Sequence, residues 1–386
     1  MDPAEQLRRP TLHTLTALRW PAAFAVFAFH VAPFFLGTSL QTPIVYLTSA
    51  GPAGVSFFFV LSGFVLTWSR RTGDRRRDFY RRRFARIYPL HLVTWGAAGA
   101  LLVSLGFRLD AAGVPLSALL LQAWVPSPRV YYAMDAPSWS LSCEAFFYAL
   151  FPFALALLLR ATVRQRRAWA AVLLLVALVL PALGTAADHV LSAQSAGWFP
   201  EFFPPARLAE FLLGAVLALE VERGALRRVP LVPAASLTVA MFVLTGVIGD
   251  PRLRVTLLLV PFLLLIAAAA HAELEGRRTA RALATPWLVR LGQWSFAFYL
   301  VHGLVFVGMV HLEGQHRLGV AGAVAWTTAT LGVSLLLSAL AFSCLERPLE
   351  RRLRPDREVP PPLRELLTEH EGVLLPPSPA AVPDPV

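Results

Sequence analysis

The chain has 386 residues, 56% of them hydrophobic and only 15% charged, with a mean hydropathy of +0.58. Soluble domains average about 45–50% apolar and about 25% charged residues, so the composition excludes a large soluble core and points to an integral membrane protein. The net charge is +11 and all 35 basic residues are arginine, an excess that in a membrane protein belongs to positive-inside loops rather than to nucleic acid, so no nucleic-acid partner is expected.

Met1 to Thr14 is polar and carries Arg8 and Arg9. A membrane span needs about 20 predominantly apolar residues, and the first runs from Leu15 to Leu36. It contains His30 and lacks a small-x-small cleavage site, so it reads as a span and not as a signal peptide. Arg19 and His30 are eleven residues apart. At about 100° per residue they share one helical face, about 16 Å apart along the axis. Ionisable residues inside a span are costly and are functional candidates by default. The alternative is that Arg19 snorkels to the headgroups while His30 satisfies a buried hydrogen bond.

The second span covers about Ala50 to Trp68, and nine arginines follow between Arg70 and Arg86. Arg83 and Arg86 stand at i, i+3 just before Ile87 and Pro89. Two guanidinium forks on one side at the membrane surface suit a phosphate. Attraction to anionic lipid, worth about 1 kcal/mol per basic residue, is the other reading of the same charge. The third span is Ile87 to Phe107. The connection Gly106 to Ser138 holds an apolar piece, Leu116 to Val125, that is too short to cross and reads as re-entrant or interfacial.

The fourth span, Trp139 to Leu159, contains Glu144, with Phe147 and Tyr148 on the same face. An intramembrane carboxylate needs a partner. Arg19, Arg207, a histidine and an acceptor hydroxyl are all open to it. The fifth span is Ala168 to Thr185. The sixth, Leu208 to Leu219, is short unless its flanks join it, and Arg207 and Glu210 open it as a local i, i+3 pair. The seventh is Val229 to Ile248, the eighth Leu253 to Ala270, the ninth Leu291 to Val310 and the tenth Val320 to Phe342. His302 lies inside the ninth, where a helix–helix hydrogen bond and a role at the site are both open. The two cysteines, Cys143 and Cys344, give no metal-binding spacing, and no metal is expected. Pro355 to Val386 holds nine prolines and reads as a disordered tail with one short helix around Leu363 to His370.

The expected organisation is a cytoplasmic segment 1–14, a transmembrane domain 15–350 and a Pro-rich tail 351–386. The arginines orient it. With the N-terminus cytoplasmic, about 29 of the 35 fall inside, leaving Arg108, Arg129, Arg207, Arg252, Arg254 and Arg317 outside. Both termini are then cytoplasmic.

Several motifs in order resemble the acyltransferase-3 family of bacterial integral-membrane O-acyltransferases. LRWPAAFAVFAFH resembles its first-helix signature, GVSFFFVLSGFVLT its second-helix segment and FYRRRFARIYPLH its basic loop. APSWSLSCEAFFYALFP, RLAEFLLGAVLA, LGQWSFAFYLVHG and the closing LERPLE resemble later signatures. The resemblance implies an all-α bundle of about ten transmembrane helices in the bacterial cytoplasmic membrane. It implies transfer of an acyl group, often acetyl, from acyl-CoA as donor substrate, with no bound cofactor, to a hydroxyl of a sugar, glycolipid or antibiotic. By position, His30 is then the catalytic histidine, with Arg19 its partner and Glu144 beside them. Arg83 and Arg86 would bind the donor. Ser62, Gly63, Phe64, Trp139, Ser142, Tyr148 and His302 would shape the substrate site. Many polysaccharide-modifying relatives carry an extra hydrolase-like domain that this chain lacks, which puts a polymer acceptor in doubt. A proton-coupled transporter is the alternative that the buried Arg, His and Glu residues would also serve, although no internal repeat of the transporter kind is present.

Overall fold

The computed structural model describes residues 10–71, 73–187, 193–224, 229–314 and 318–353. Arg8, Arg9 and Arg317, and the Pro-rich tail from residue 354 onward, lie outside them. The described chain is helical and contains no strand. Ten long helices stand where the ten apolar stretches are: α1 (His13–Val31), α2 (Ala53–Trp68), α3 (Arg76–Ser104), α4 (Trp139–Arg160), α5 (Val163–Ala187), α6 (Pro204–Glu222), α7 (Leu231–Ile248), α8 (Leu253–Leu274), α9 (Pro286–Glu313) and α10 (Val320–Ala341). Among the described residues nine segments are long and apolar enough to cross a bilayer, and α5 occupies the position of the remaining stretch. Only helices satisfy every backbone group internally in hydrocarbon, which is why apolar stretches of this length take that form.

Three differences from the sequence expectation concern boundaries, the first being that α3 begins at Arg76 and not at Ile87, so that Arg83 and Arg86 stand on the helix itself. The short sixth span is lengthened at both ends: α6 covers Pro204–Glu222, entered by prolines in its first turn that need no helical N–H partner. The apolar piece after α3 breaks into a helix at Gly113–Ala118 and a 3-10 turn at Gln122–Trp124. It folds back on the start of α4, where the buried Gln122 amide donates to the Ser138 carbonyl at 3.0 Å.

The site is framed by two helix crossings at which there is no room for a side chain. On α2, a Cβ at Gly63 would lie 1.8 Å from the Phe211 carbonyl, and one at Gly214 on α6 would lie 1.9 Å from the Val60 carbonyl. On α9, a Cβ at Gly292 would lie 1.9 Å from the Thr16 carbonyl of α1. Such small-residue contacts let membrane helices approach backbone to backbone. The first turn of α1 has no acid of its own. Glu273 of α8 supplies one, accepting from the backbone N–H groups of His13 and Thr14 at 2.7 and 2.8 Å. It thereby satisfies two orphan donors and opposes the helix dipole. After α10 the helix widens into a π-helical turn, Phe342–Glu346, before the last turns, Arg347–Leu353.

Candidate active site

Helices α1, α2, α3, α4 and α9 enclose a cavity of about 270 Å³ that opens at the end of the bundle carrying Pro10 and the arginine-rich segment. Its ionic lining is Arg19, Arg83, Arg86 and Glu144, so cations outnumber the carboxylate. Ser62, Phe64 and Tyr148 line it as well, and Phe58 and Tyr299 form its deep wall. Arg19, on α1, donates through Nε to Ser295 Oγ of α9 at 3.1 Å, while Ser295 is itself held by the Gly292 carbonyl at 2.8 Å. Glu144 accepts from the Tyr148 hydroxyl at 2.9 Å, one turn along α4, and Ser62 Oγ lies 3.4 Å from the same hydroxyl. The carboxylate partner that the sequence left open is therefore a tyrosine.

The two arginines of the basic segment have different surroundings. Arg86 is ion-paired with Glu346, which the π-helical turn presents, and lies 3.8 Å from Glu350. A π turn inserts one residue and rotates the helix beyond it. The side chain that meets Arg86 is thus fixed by an irregularity that hydrophobic periodicity does not reveal. Arg83 sits against the rings of Phe79 and Tyr148, each 5.9 Å away. Its buried Nε has no hydrogen-bond partner among the described residues.

His30 is not part of this cavity lining. It lies beyond the deep wall, near the far end of α1, and faces His302 of α9. His30 Nδ1 is 2.9 Å from the Val26 carbonyl and 3.2 Å from His302 Nε2, while His302 Nδ1 is 3.0 Å from the Phe298 carbonyl. A carbonyl only accepts, so both Nδ1 atoms carry protons. His302 Nε2 is then an acceptor facing His30 Nδ1–H, and His30 Nε2 keeps a free lone pair. The Tyr299 ring, 5.9 Å from the His302 ring, connects the pair to the cavity wall. His302 is fully buried and His30 is partly exposed.

The other expected residues fall outside the cavity. Gly63 makes the α2–α6 crossing, Trp139 packs on Phe59 and Phe202, and the buried Ser142 hydroxyl has no partner among the described residues. Arg207 pairs with Glu210 at 2.8 Å and reaches Ser56 Oγ at 2.9 Å, a structural knot inside the bundle. Sequence reasoning missed Ser295 and Glu346, both ordinary-looking helical residues, and Asp135. Asp135 precedes α4, is 1% exposed and has no hydrogen-bond partner for either oxygen among the described residues. Burial pushes its carboxyl well above the usual carboxylate range. Among the described residues, no group of three His, Cys, Asp or Glu side chains is placed to hold a metal ion.

A membrane bundle with an arginine-lined cavity at one end and a tautomer-fixed histidine pair beyond it has the parts of a group-transfer enzyme. The family profile described as an acyltransferase domain, acyltransferase-3, matches residues 12–345, and the chain belongs to that family. It is a multi-pass membrane O-acyltransferase. It is similar to the acyltransferase MdmB of Streptomyces mycarofaciens, with 39% identity over 374 residues, covering 91% of this chain and 95% of that one. It is also similar to the exopolysaccharide production protein ExoZ of Rhizobium meliloti (strain 1021), with 31% identity over 318 residues, covering 80% and 92%. No solved structure matches.

Proposed function

We propose that the enzyme moves an acyl group, acetyl in the first instance, from cytoplasmic acyl-CoA to a hydroxyl of a carbohydrate, glycolipid or secondary-metabolite acceptor. The observation that carries the donor assignment is Arg83. Its guanidinium lines the cavity mouth beside two aromatic rings and makes no direct ion pair among the described residues, with Glu350 acting on it only at a distance. Guanidinium stays charged at any working pH, and a partly desolvated cation of this kind favours an anionic ligand such as the phosphates of coenzyme A.

In this reading the donor enters from the cytoplasmic end, with its phosphates on Arg83 and the outer face of Arg86. The thioester reaches past Tyr299 to the histidine pair. His30 Nε2 takes the proton of the acceptor hydroxyl as its oxygen attacks the thioester carbonyl. The carbon–sulfur bond breaks, and the departing sulfur receives that proton from His30. General-base help of this kind is worth about 10²–10⁴-fold. Arg19 lies about 16 Å from His30 along α1, too far to hold the same oxyanion, so its task is to orient the donor. The Glu144–Tyr148–Ser62 chain supplies the polar wall opposite it. Acyl transfer and not solute transport is the activity that the family membership supports.

The test is acetyl-CoA binding to the purified protein, wild type beside Arg83→Ala. Saturable binding that weakens about tenfold or more in the variant is expected. Equal affinity in the two proteins would remove the donor site from Arg83.

A further inference from the structure

His30 is partly exposed, yet it does not line the donor cavity. Its accessible side therefore faces somewhere else, and the surface around it is not plain lipid-facing helix. The Phe29 ring stands edge-on to the His30 ring with centroids 5.4 Å apart. Arg254, at the start of α8, lies over Phe29 at 5.7 Å and is held by Glu201 at 3.4 Å. The Arg254 side chain is 14% exposed and that of Glu201 37%. Beyond Glu201 the buried rings of Phe202 and Tyr131 stack at 4.4 Å and support Tyr132, which meets Phe202 edge-on at 5.5 Å and is itself 47% exposed.

An aromatic belt that only anchors a protein in the interface needs no ion pair. Here a partly desolvated Arg–Glu pair sits between the exposed Tyr132 ring and the imidazole proposed as the base. Ring faces with a few placed hydrogen-bonding groups are what small-molecule sites are made of. Aromatic faces hold the apolar side of a flat or ring-shaped ligand, and guanidinium and carboxylate together donate to and accept from its hydroxyls.

We infer that Phe29, Tyr132, Glu201 and Arg254 form the acceptor site, reached from the end of the bundle opposite the donor cavity, and that it takes an uncharged, hydroxylated ring compound. The inference rests on the proposed acyl transfer and names its second substrate. The ring stacks on Tyr132 and Phe29, its hydroxyls meet Arg254 and Glu201, and one hydroxyl is delivered to His30 Nε2. Donor and acceptor then approach the histidine pair from opposite sides of the membrane.

The full chain, reconstituted in nanodiscs, is titrated with erythronolide B, an uncharged polyhydroxylated macrolactone, and with octyl glucoside below its micellar concentration, a sugar on an alkyl chain, beside a parallel acetyl-CoA titration. At least one ring compound should bind saturably. Its affinity should fall about tenfold in Tyr132→Ala and in Arg254→Gln, remain near wild type in Tyr132→Phe, and leave acetyl-CoA affinity unchanged throughout. The compound that binds distinguishes a macrolactone site from a plain sugar site. Saturation by neither compound, or wild-type affinity in both variants, overturns the site. Ring binding without acetyl-CoA binding would instead sink the donor assignment and leave the acceptor site standing.

Discussion

At the scale of single residues, the proposed chemistry rests on which nitrogen of His30 is free. Two backbone carbonyls, Val26 and Phe298, hold the Nδ1 protons of His30 and His302, and His302 Nε2 faces the first of those protons at 3.2 Å. In the proposed mechanism His302 is therefore a positioning residue: it has no exposed surface, and it steadies the ring whose other edge would act as the base. Replacing it leaves the Val26 contact, so the tautomer survives while the ring loses its lateral support. His302→Ala is expected to lower kcat about tenfold to a hundredfold, the usual consequence of misplacing a catalytic group by a fraction of a turn, with the acyl-donor KM unchanged. His302→Asn, whose amide oxygen can accept from Nδ1–H, should recover part of that loss. A rise in donor KM with kcat intact would place His302 in donor binding instead. Arg19, His30 and Glu144 could be singled out in the sequence because a charged or titratable side chain in an apolar stretch is conspicuous, and Arg83 and Arg86 by their i, i+3 spacing at the end of the basic segment. The separation of Arg83 from Arg86 in role could not be seen there. It depends on Glu346, some 260 residues away, being turned toward Arg86.

At the scale of elements, the site depends on how closely two pairs of helices approach. Gly63 follows Ser62 and precedes Phe64, both cavity residues, and its own place against the Phe211 carbonyl sets how far α2 stands from α6. A side chain at Gly63 forces the two backbones apart and moves Ser62 away from Tyr148. Gly63→Val should therefore lower the melting temperature in detergent by the equivalent of about 1–3 kcal/mol, the usual cost of overpacking. It should also weaken acetyl-CoA binding. The control is Gly308→Ala in α9, where no atom lies within 4 Å of the added Cβ. There the better helix propensity of alanine, up to about 1 kcal/mol, should leave stability unchanged or higher. Equal melting temperatures for Gly63→Val and wild type would mean that the α2–α6 crossing is not tight. The ten apolar helices were legible in the sequence because length and apolarity alone decide them. Which glycine meets which carbonyl was not, since it depends on pairing between distant segments. The motif around Ser62 and Phe64 pointed to the site, but Gly63 within it serves the crossing.

At the scale of the whole molecule, the two ends of the bundle differ in charge and in aromatic content. Arg70 pairs with Glu222, Arg82 with Asp74 and Arg167 with Glu220, all near the end where the donor cavity opens. The aromatic residues Tyr131, Tyr132, Phe202 and Phe203 gather at the other end with Arg254. Only the first of these asymmetries was readable in advance, as an arginine count. The second brings together three connections far apart in the chain. The proposed orientation follows the arginine count, because basic loops resist translocation, and the two-sided chemistry requires it, since acyl-CoA is cytoplasmic. The sidedness can be measured with single cysteines in a background where Cys344, the exposed thiol, is replaced by alanine; Cys143 is buried and stays silent. Arg108→Cys, in the connection after α3, should react with a membrane-impermeant maleimide in intact cells. Arg77→Cys, in the basic segment, should react only after permeabilisation. The reverse pattern would put the donor cavity on the side without coenzyme A, and the donor assignment would fall with the topology.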